Sequence, residues 1–371
     1  MSYPTKKTTQ QDLEQLVRFK STADRPVELL KTAKWLQALI SRQVQSQVLR
    51  SEIITKNGVP SLVMVNNGKW KNPDILLNGH FDVVPGQVKD FKPVTTGDKL
   101  FGRGAADMKS GVVSLVHAFI YTANQRPDLS LGLMLTGDEE TGGKDGVEYL
   151  VKQGWKTKEV ICFDGGYSEQ ISHAEKGILR LVFESKGTRG RVHHRWEGIC
   201  ALEGIIDSYK ILEKNFPNWK KATEEDNWYS TFTPKSVTTE PNGNSMVTRA
   251  VLEASVHFTE DITPRNLVEK IRRQLPKNVT VKNLIEVPRV FTDKKDPFLK
   301  SFQKSYAKYL GHQPKIRAEN GSSDARFFSH LNIPIIITKP KSGNPEMDGE
   351  WASITSTWKL SQALIDYLWK K

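Results

Sequence analysis

The sequence predicts a layered α/β fold that carries a smaller, inserted α+β domain. Three observations predict it. Apolar runs of strand length alternate with stretches of helical period through residue 178. From residue 179 the order becomes β-α-β-β-α-β, the ferredoxin-like arrangement. After residue 290 the alternation returns. Residues 1–178 and 290–371 are therefore predicted to form one domain, with 179–289 inserted into it.

Each element has its own signal. Apolar residues recur at helical spacing from Gln11 to Phe19 and from Ala33 to Ile40. Strand-like segments follow from Gln47 to Thr55 and Ser61 to Asn66, then an apolar strand from Ile75 to Val84. A helix of small residues begins near Asp107 and runs through Gly111 to Phe119. Leu131 to Thr136 reads as a strand, Gly146 to Gln153 as a helix, and Val160 to Phe163 as a strand. In the insertion, strands are expected from Leu179 to Ser185, near Ser236, from Ala250 to Phe258 and from Val279 to Leu284. Helices there run from Gly198 to Leu212 and from Pro264 to Leu275. The chain then returns through helices from Pro297 to Leu310 and Ser323 to Ser329, a strand from Pro334 to Thr338, and a closing helix near 356–369.

Composition narrows the function. A chain of 371 residues can bury a large core without staples. Its two cysteines, Cys162 and Cys200, exclude a disulfide framework and favour the cytoplasm over secretion. The opening residues lack the apolar core of a signal peptide. No run approaches the ~18 apolar residues of a membrane span. Lys and Arg number 54 against 42 Asp and Glu, a net charge of +12. The basic stretch from Arg265 to Lys315 has no accompanying nucleic-acid motif, and lysine-bearing helix faces are ordinarily solvated. Neither nucleic acid nor a membrane is expected as a partner.

Chemistry concentrates at predicted strand ends. His80 and Asp82 close the strand that begins at Ile75. Asp107 sits in Gly102-Arg-Gly-Ala-Ala-Asp-Met-Lys-Ser-Gly111, a glycine-rich turn entering a helix. Glu139 and Glu140 lie in Gly137-Asp-Glu-Glu-Thr-Gly-Gly143 past a third strand, and Asp164 follows a fourth. Open α/β sheets form their sites at the carboxyl ends of strands. Clustered carboxylates repel one another, so a positive partner must hold them together. Carboxylate oxygen and imidazole nitrogen suit zinc, cobalt or manganese. Two such ions about 3.5–4 Å apart lower the pKa of a shared water. Of the adjacent pair Glu139–Glu140, one carboxylate can bind metal while its neighbour takes that water's proton.

With these residues in place, the sequence resembles the M20 family of metallopeptidases and deacylases. That group includes acetylornithine deacetylase, succinyl-diaminopimelate desuccinylase and carboxypeptidase G2. The resemblance covers essentially the whole chain, and the span from Leu76-Leu-Asn-Gly-His-Phe-Asp-Val-Val-Pro85 to Gly111 is specific to it. It implies a zinc-peptidase-like α/β/α catalytic domain with two Zn2+ per chain (Co2+ or Mn2+ as alternatives) and an inserted lid that is also the dimerisation surface. It implies that His80 binds one zinc, that Asp82 orients His80, and that Asp107 bridges both ions. It makes Glu139 the general base, Glu140 a ligand of the other zinc, and Asp164 a ligand beside His80. The segment Ala174-Glu-Lys-Gly177 matches the strand entering the lid.

Two positions depart from the family pattern. Its last ligand is a His about four residues before a Glu, but Asn344-Pro-Glu-Met-Asp-Gly-Glu-Trp-Ala352 puts Glu346 there, and no His follows His330. Carboxylate oxygen binds zinc at a similar length, so Glu346 is the expected stand-in, ahead of Asp348. The lid His falls in Gly187-Thr-Arg-Gly-Arg-Val-His-His-Arg-Trp-Glu-Gly198, which places Arg191 there. Arginine can stabilise an oxyanion but cannot shuttle a proton at neutral pH. Asn244 matches a substrate-side Asn, and Arg326, in Glu319-Asn-Gly-Ser-Ser-Asp-Ala-Arg-Phe-Phe328, is assigned to substrate support. Asp324 is read as structural. The expected activity is hydrolysis of the amide bond of an N-acyl amino acid or short peptide by a homodimer. The alternative, prompted by the two substituted His positions, is a catalytically impaired relative with a degenerate metal site and a binding or regulatory role.

Overall fold

A computed structural model describes residues 4–45, 48–221, 223, 227–240 and 243–371. Gln47, where the first strand was expected to begin, lies outside the described residues. The chain divides into two compact units, Met1–Ala174 with Val290–Lys371, and Glu175–Arg289.

The first unit opens with α1 (Lys6–Arg18) and α2 (Pro26–Gln43). Thr5 and Thr8 cap α1 reciprocally, and Pro26 starts α2 where no amide donor is needed. Then come β1 (Arg50–Lys56), β2 (Val59–Val65), β3 (Ile75–His80) and the short β4 (Val94–Thr96) and β5 (Lys99–Phe101). An irregular turn at Ala105–Lys109 leads into α3 (Ser110–Gln125). β6 (Leu131–Thr136), α4 (Val147–Lys152), β7 (Glu159–Cys162) and β8 (Ile171–Glu175) follow. The second unit contains β9 (Gly177–Lys186), α5 (Ala201–Asn215), β10 (Thr231–Thr239), β11 (Arg249–Phe258), α6 (Pro264–Gln274) and β12 (Val279–Val287). The first unit resumes with β13 (Val290–Phe291), α7 (Pro297–Leu310), β14 (Ile316–Glu319), β15 (Ile335–Thr338), β16 (Ser342–Gly343), β17 (Trp351–Ser353) and α8 (Ile354–Trp369).

The main sheet of the first unit runs β1-β2-β6-β3-β7-β15-β8-β13, with β14 on β8. At its centre β3 lies parallel to β6 and β7, and β7 parallel to β15. Side chains alternate between two cores, as the strand period requires. Leu62 and Met64 of β2 and Leu133 and Leu135 of β6 join the core under α1, α2, α3, α7 and α8. Val63, Val65 and Met134 join the opposite core with Trp155 and Phe328. β3 is buried along its whole length, which explains why it opens on the apolar run Ile75-Leu-Leu77. The α/β layering expected from the sequence is therefore what the chain adopts.

A second sheet in this unit, β16-β17-β5-β4, had no clear sequence signal. Its strands are two or three residues long, too short for a period to register. Two other details differ from expectation. β3 stops at His80 instead of running to Val84, because the chain turns away and Asp82 accepts the amides of Glu139 and Glu140. The predicted helix from Ser323 is a 3-10 helix, Asp324–Leu331.

The second unit is an antiparallel sheet, β10-β11-β9-β12, built in the order β-α-β-β-α-β. Leu179, Leu181 and Phe183 of β9 pack in one core with Ala201, Ile205 and Leu212 of α5 and Leu267 and Ile271 of α6. Burying each large apolar side chain contributes about 1.5–3 kcal/mol.

Candidate active site

The parallel strands deliver the chemistry to one edge. His80 is the last residue of β3 and pairs with Thr136, the last of β6. Asp138, Glu139 and Glu140 follow β6 directly, and Asp164 lies two residues beyond β7. Asp107 arrives from the turn between β5 and α3. All are held in the first unit.

The donors converge on His80, which is 1% exposed. Its Nε2 lies 3.2 Å from Asp107 Oδ1 and 3.8 Å from Asp164 Oδ1. Its Nδ1 lies 3.3 Å from Asp82 Oδ1, so Asp82 orients the ring from behind. Single donor atoms of His80, Glu139 and Asp164 all lie within 4.8 Å of one another. Asp82 also accepts the amide of Glu139 at 3.2 Å and that of Glu140 at 3.1 Å. One buried carboxylate thus fixes both the imidazole and the Glu-Glu turn.

Asp107 is placed by a residue whose role the sequence did not disclose. The buried Glu350 carboxylate accepts the amides of Gly104 (2.9 Å), Ala106 (2.9 Å) and Asp107 (3.1 Å) and pairs with Arg103 at 2.8 Å. Gly104 sits at φ 81°, and a Cβ there would come within 2.5 Å of Val83 Cγ1. Only glycine fits both the backbone conformation and the space. The β17–β5 pairing ties the segment after Glu350 to the strand before this turn, and the Gly102 amide donates to the Glu350 carbonyl at 3.0 Å.

The electrostatics are those of carboxylates crowded out of water. Burial works against a charged His80, but hydrogen bonds to Asp107, Asp164 and Asp82 outweigh it and raise its pKa well above the ordinary value. Burial raises Glu139 well above its usual range, reinforced by Asp164 and opposed by His80 and Arg326. Burial pushes Glu140 up to about 8. Its Oε1 is buried with no hydrogen-bond partner among the described residues, a donor atom that a cation would satisfy. Buried imidazole and carboxylates at these separations suit a divalent metal such as zinc.

The remaining predicted residues fall in three places. Arg326 is 5% exposed and faces inward. Its guanidinium donates to Glu139 Oε1 at 3.2 Å and to the Gly142 carbonyl at 3.1 Å, and pairs with Asp324 at 3.3 Å. It is thus also a partner of Glu139. Glu346 lies exposed on the turn before β17, at φ 61°, and its charge helps raise Glu140. It is not among the donor atoms that converge on His80. Arg191 and Asn244 belong to the second unit. Arg191 bridges to Ser245, and the Val192 amide donates to the Asn244 carbonyl, so one loop cluster contains both. Arg191 is also ion-paired with Glu197.

Fold and donor set together define a metal-dependent hydrolase. The pattern of peptidase family M20/M25/M40 matches residues 76–370, and the chain belongs to that family. It is an amidohydrolase of the M20 type. A succinyl-diaminopimelate desuccinylase of Rhizorhabdus wittichii is 28% identical over 289 residues, 71% of this chain and 72% of that protein. Aminopeptidase PepT of Bacillus cereus superposes with a TM-score of 0.78 at 14% identity, covering 98% of both chains. A dinuclear metal-binding peptidase of Bacillus subtilis gives 0.71 at 13% identity, covering 98% of this chain and 97% of that one.

Proposed function

We propose that this chain is a zinc amidohydrolase acting on an N-acyl amino acid or a short peptide with a free carboxylate. The observation that carries the reading is the meeting of His80, Glu139 and Asp164, at or just past the carboxyl ends of parallel strands, with Asp107 from the turn before α3. His80, Asp107 and Asp164 would hold one zinc ion, and Asp107, Glu140 and Glu346 would be the residues to hold a second. Bound zinc supplies a Lewis acid and lowers the pKa of its water. Glu139 accepts the proton of the attacking water and passes it to the leaving amine as the carbon–nitrogen bond breaks. Asp82 keeps the His80 ring in register throughout. The names of the relatives, a desuccinylase and peptidases, support an acyl-amino acid or peptide amide as the bond cleaved. Arg191 and Asn244 are assigned to the substrate, and the unit 175–289 to lid and homodimer contacts. The two free cysteines fit the cytoplasm.

Glu139→Ala is the test. With zinc content unchanged, turnover on N-acetyl, N-succinyl or dipeptide substrates should fall by at least 10²–10⁴-fold. Residual wild-type rates would remove Glu139 from the role. The exposed position of Glu346 favours a second reading, an impaired relative that binds ligand without turnover. Purified protein that carries zinc yet turns over none of these substrates would support it.

A further inference from the structure

A cavity of about 350 Å³ lies beside the turn that carries Asp107, with Arg103 and Glu350 in its wall. Among the described residues that line it are none of His80, Asp107, Glu139, Glu140 and Asp164, so it is not the candidate metal site. The local sequence builds both its apolar floor and its charge. β4 and β5 form a tight hairpin in which Val94 pairs directly with Phe101, so the two side chains share one face. Both line the cavity, as does Met347, and Val94 and Met347 are apolar side chains left exposed. Just before β4, the 3-10 turn Val88–Phe91 closes with the Lys92 amide donating to the Lys89 carbonyl at 3.0 Å. Residues three apart eclipse in such a turn, and both lysines reach the cavity. Neither ammonium is ion-paired among the described residues.

Arg103 is the third cation in the wall. Its Nη1 donates to the Glu350 carboxylate at 2.8 Å and to the Met347 carbonyl at 3.5 Å. Those bonds use one of its three nitrogens, and its Nε is buried with no hydrogen-bond partner among the described residues. Two carboxylates share the wall with these cations. Glu350 is already balanced by Arg103 and by the amides of Gly104, Ala106 and Asp107. Asp90 accepts the Gln87 amide at 2.7 Å and is left as the one carboxylate in the wall to set against Lys89 and Lys92. Glu346 and Asp348, on the neighbouring turn, are exposed and do not line the cavity. A cavity of this size, with an apolar floor and a few placed charges, is built as small-molecule sites are. Its lysines select an anion, and its floor selects one with a hydrocarbon body.

We propose that this cavity binds a small organic monocarboxylate, with the charge between Lys89 and Lys92 and the hydrocarbon against Val94, Phe101 and Met347. The proposal stands apart from the zinc reading, since none of these contacts is a metal ligand.

Calorimetric titration of the full chain with hexanoate tests it. Wild type should bind hexanoate, and Lys89→Met with Lys92→Met, which keeps the apolar stems and removes both charges, should bind it about tenfold more weakly. Lys89→Arg with Lys92→Arg should bind as wild type does. Hexanamide, which lacks the charge, and acetate, which lacks the hydrocarbon, should each bind about tenfold more weakly than hexanoate. Circular dichroism checks the fold of each variant. Elemental analysis checks that zinc content is equal, so that capture of the carboxylate by metal cannot produce the difference. Equal hexanoate affinity in wild type and the paired Met variant overturns the proposal. So does hexanamide or acetate binding as tightly as hexanoate, or a wild type that binds no hexanoate.

Discussion

The two sides of the candidate metal site are built differently. On one side, His80 and Asp164 stand at the ends of adjacent parallel strands, and Asp107 hangs from a turn pinned at four points by Glu350. On the other, Glu346 rests on an exposed turn with left-handed backbone. The first side is fixed by sheet register and buried hydrogen bonds, so its geometry exists before any ligand arrives. The second must be organised on binding. Preorganised donors bind a cation without the ordering cost that mobile ones incur.

The largest way to break this contrast is through Glu350. Glu350→Gln keeps the shape but turns a four-fold acceptor into a group with one acceptor oxygen and its own donors. The turn that carries Asp107 should loosen. Zinc affinity should fall about 10–100-fold and stability by roughly 1–3 kcal/mol. Zinc titration and denaturant unfolding measure both. Glu346→Gln is the matched substitution on the other side and should leave first-ion affinity within about threefold. Equal losses in the two variants would erase the contrast.

A smaller effect is expected at Arg326. Its planar fork reaches Glu139, Asp324 and the Gly142 carbonyl together, a geometry that a lysine ammonium cannot reproduce. Arg326→Lys should lower kcat about tenfold while KM and zinc content stay near wild type, because the residue acts through Glu139. A raised KM with kcat intact would return Arg326 to the substrate role suggested by the sequence.

How much of this was legible beforehand follows from the same contrast. His80, Asp107, the Glu139–Glu140 pair and Asp164 stood out because each follows an apolar run or a glycine-rich turn, and strand ends in α/β sheets converge. The βαββαβ insertion was legible because β9, β11 and β12 alternate over nine or ten residues. Glu350 was not legible as a partner. Its importance depends on which segments the fold brings together: Glu350 meets residues some 245 positions earlier. The contact of Arg326 with Glu139 was not legible either, because an arginine near a cleft has no local signature that tells an inward clamp from an outward contact. The β16-β17-β5-β4 sheet was hidden for a simpler reason, since two- and three-residue strands have no period to read.

The smallest effect concerns what holds Arg326 in place. Asp324 is 1% exposed, and burial pushes its carboxyl up to about 7 against the pull of Arg326. Unfolded, the same group titrates near 3.9. Between those two values the folded chain keeps a proton that the unfolded chain has lost, so this group's contribution to stability declines as pH rises from about 4 towards 7. Asp324→Asn cannot titrate and keeps a similar shape. The change in thermal midpoint between pH 5 and pH 8 should therefore be smaller in the variant than in wild type, at roughly 2–4 °C for each kcal/mol removed. An identical pH dependence would mean that Asp324 stays ionised when folded. Arg326 would then be held by a permanent ion pair, and the firm side of the site would be insensitive to pH at this anchor.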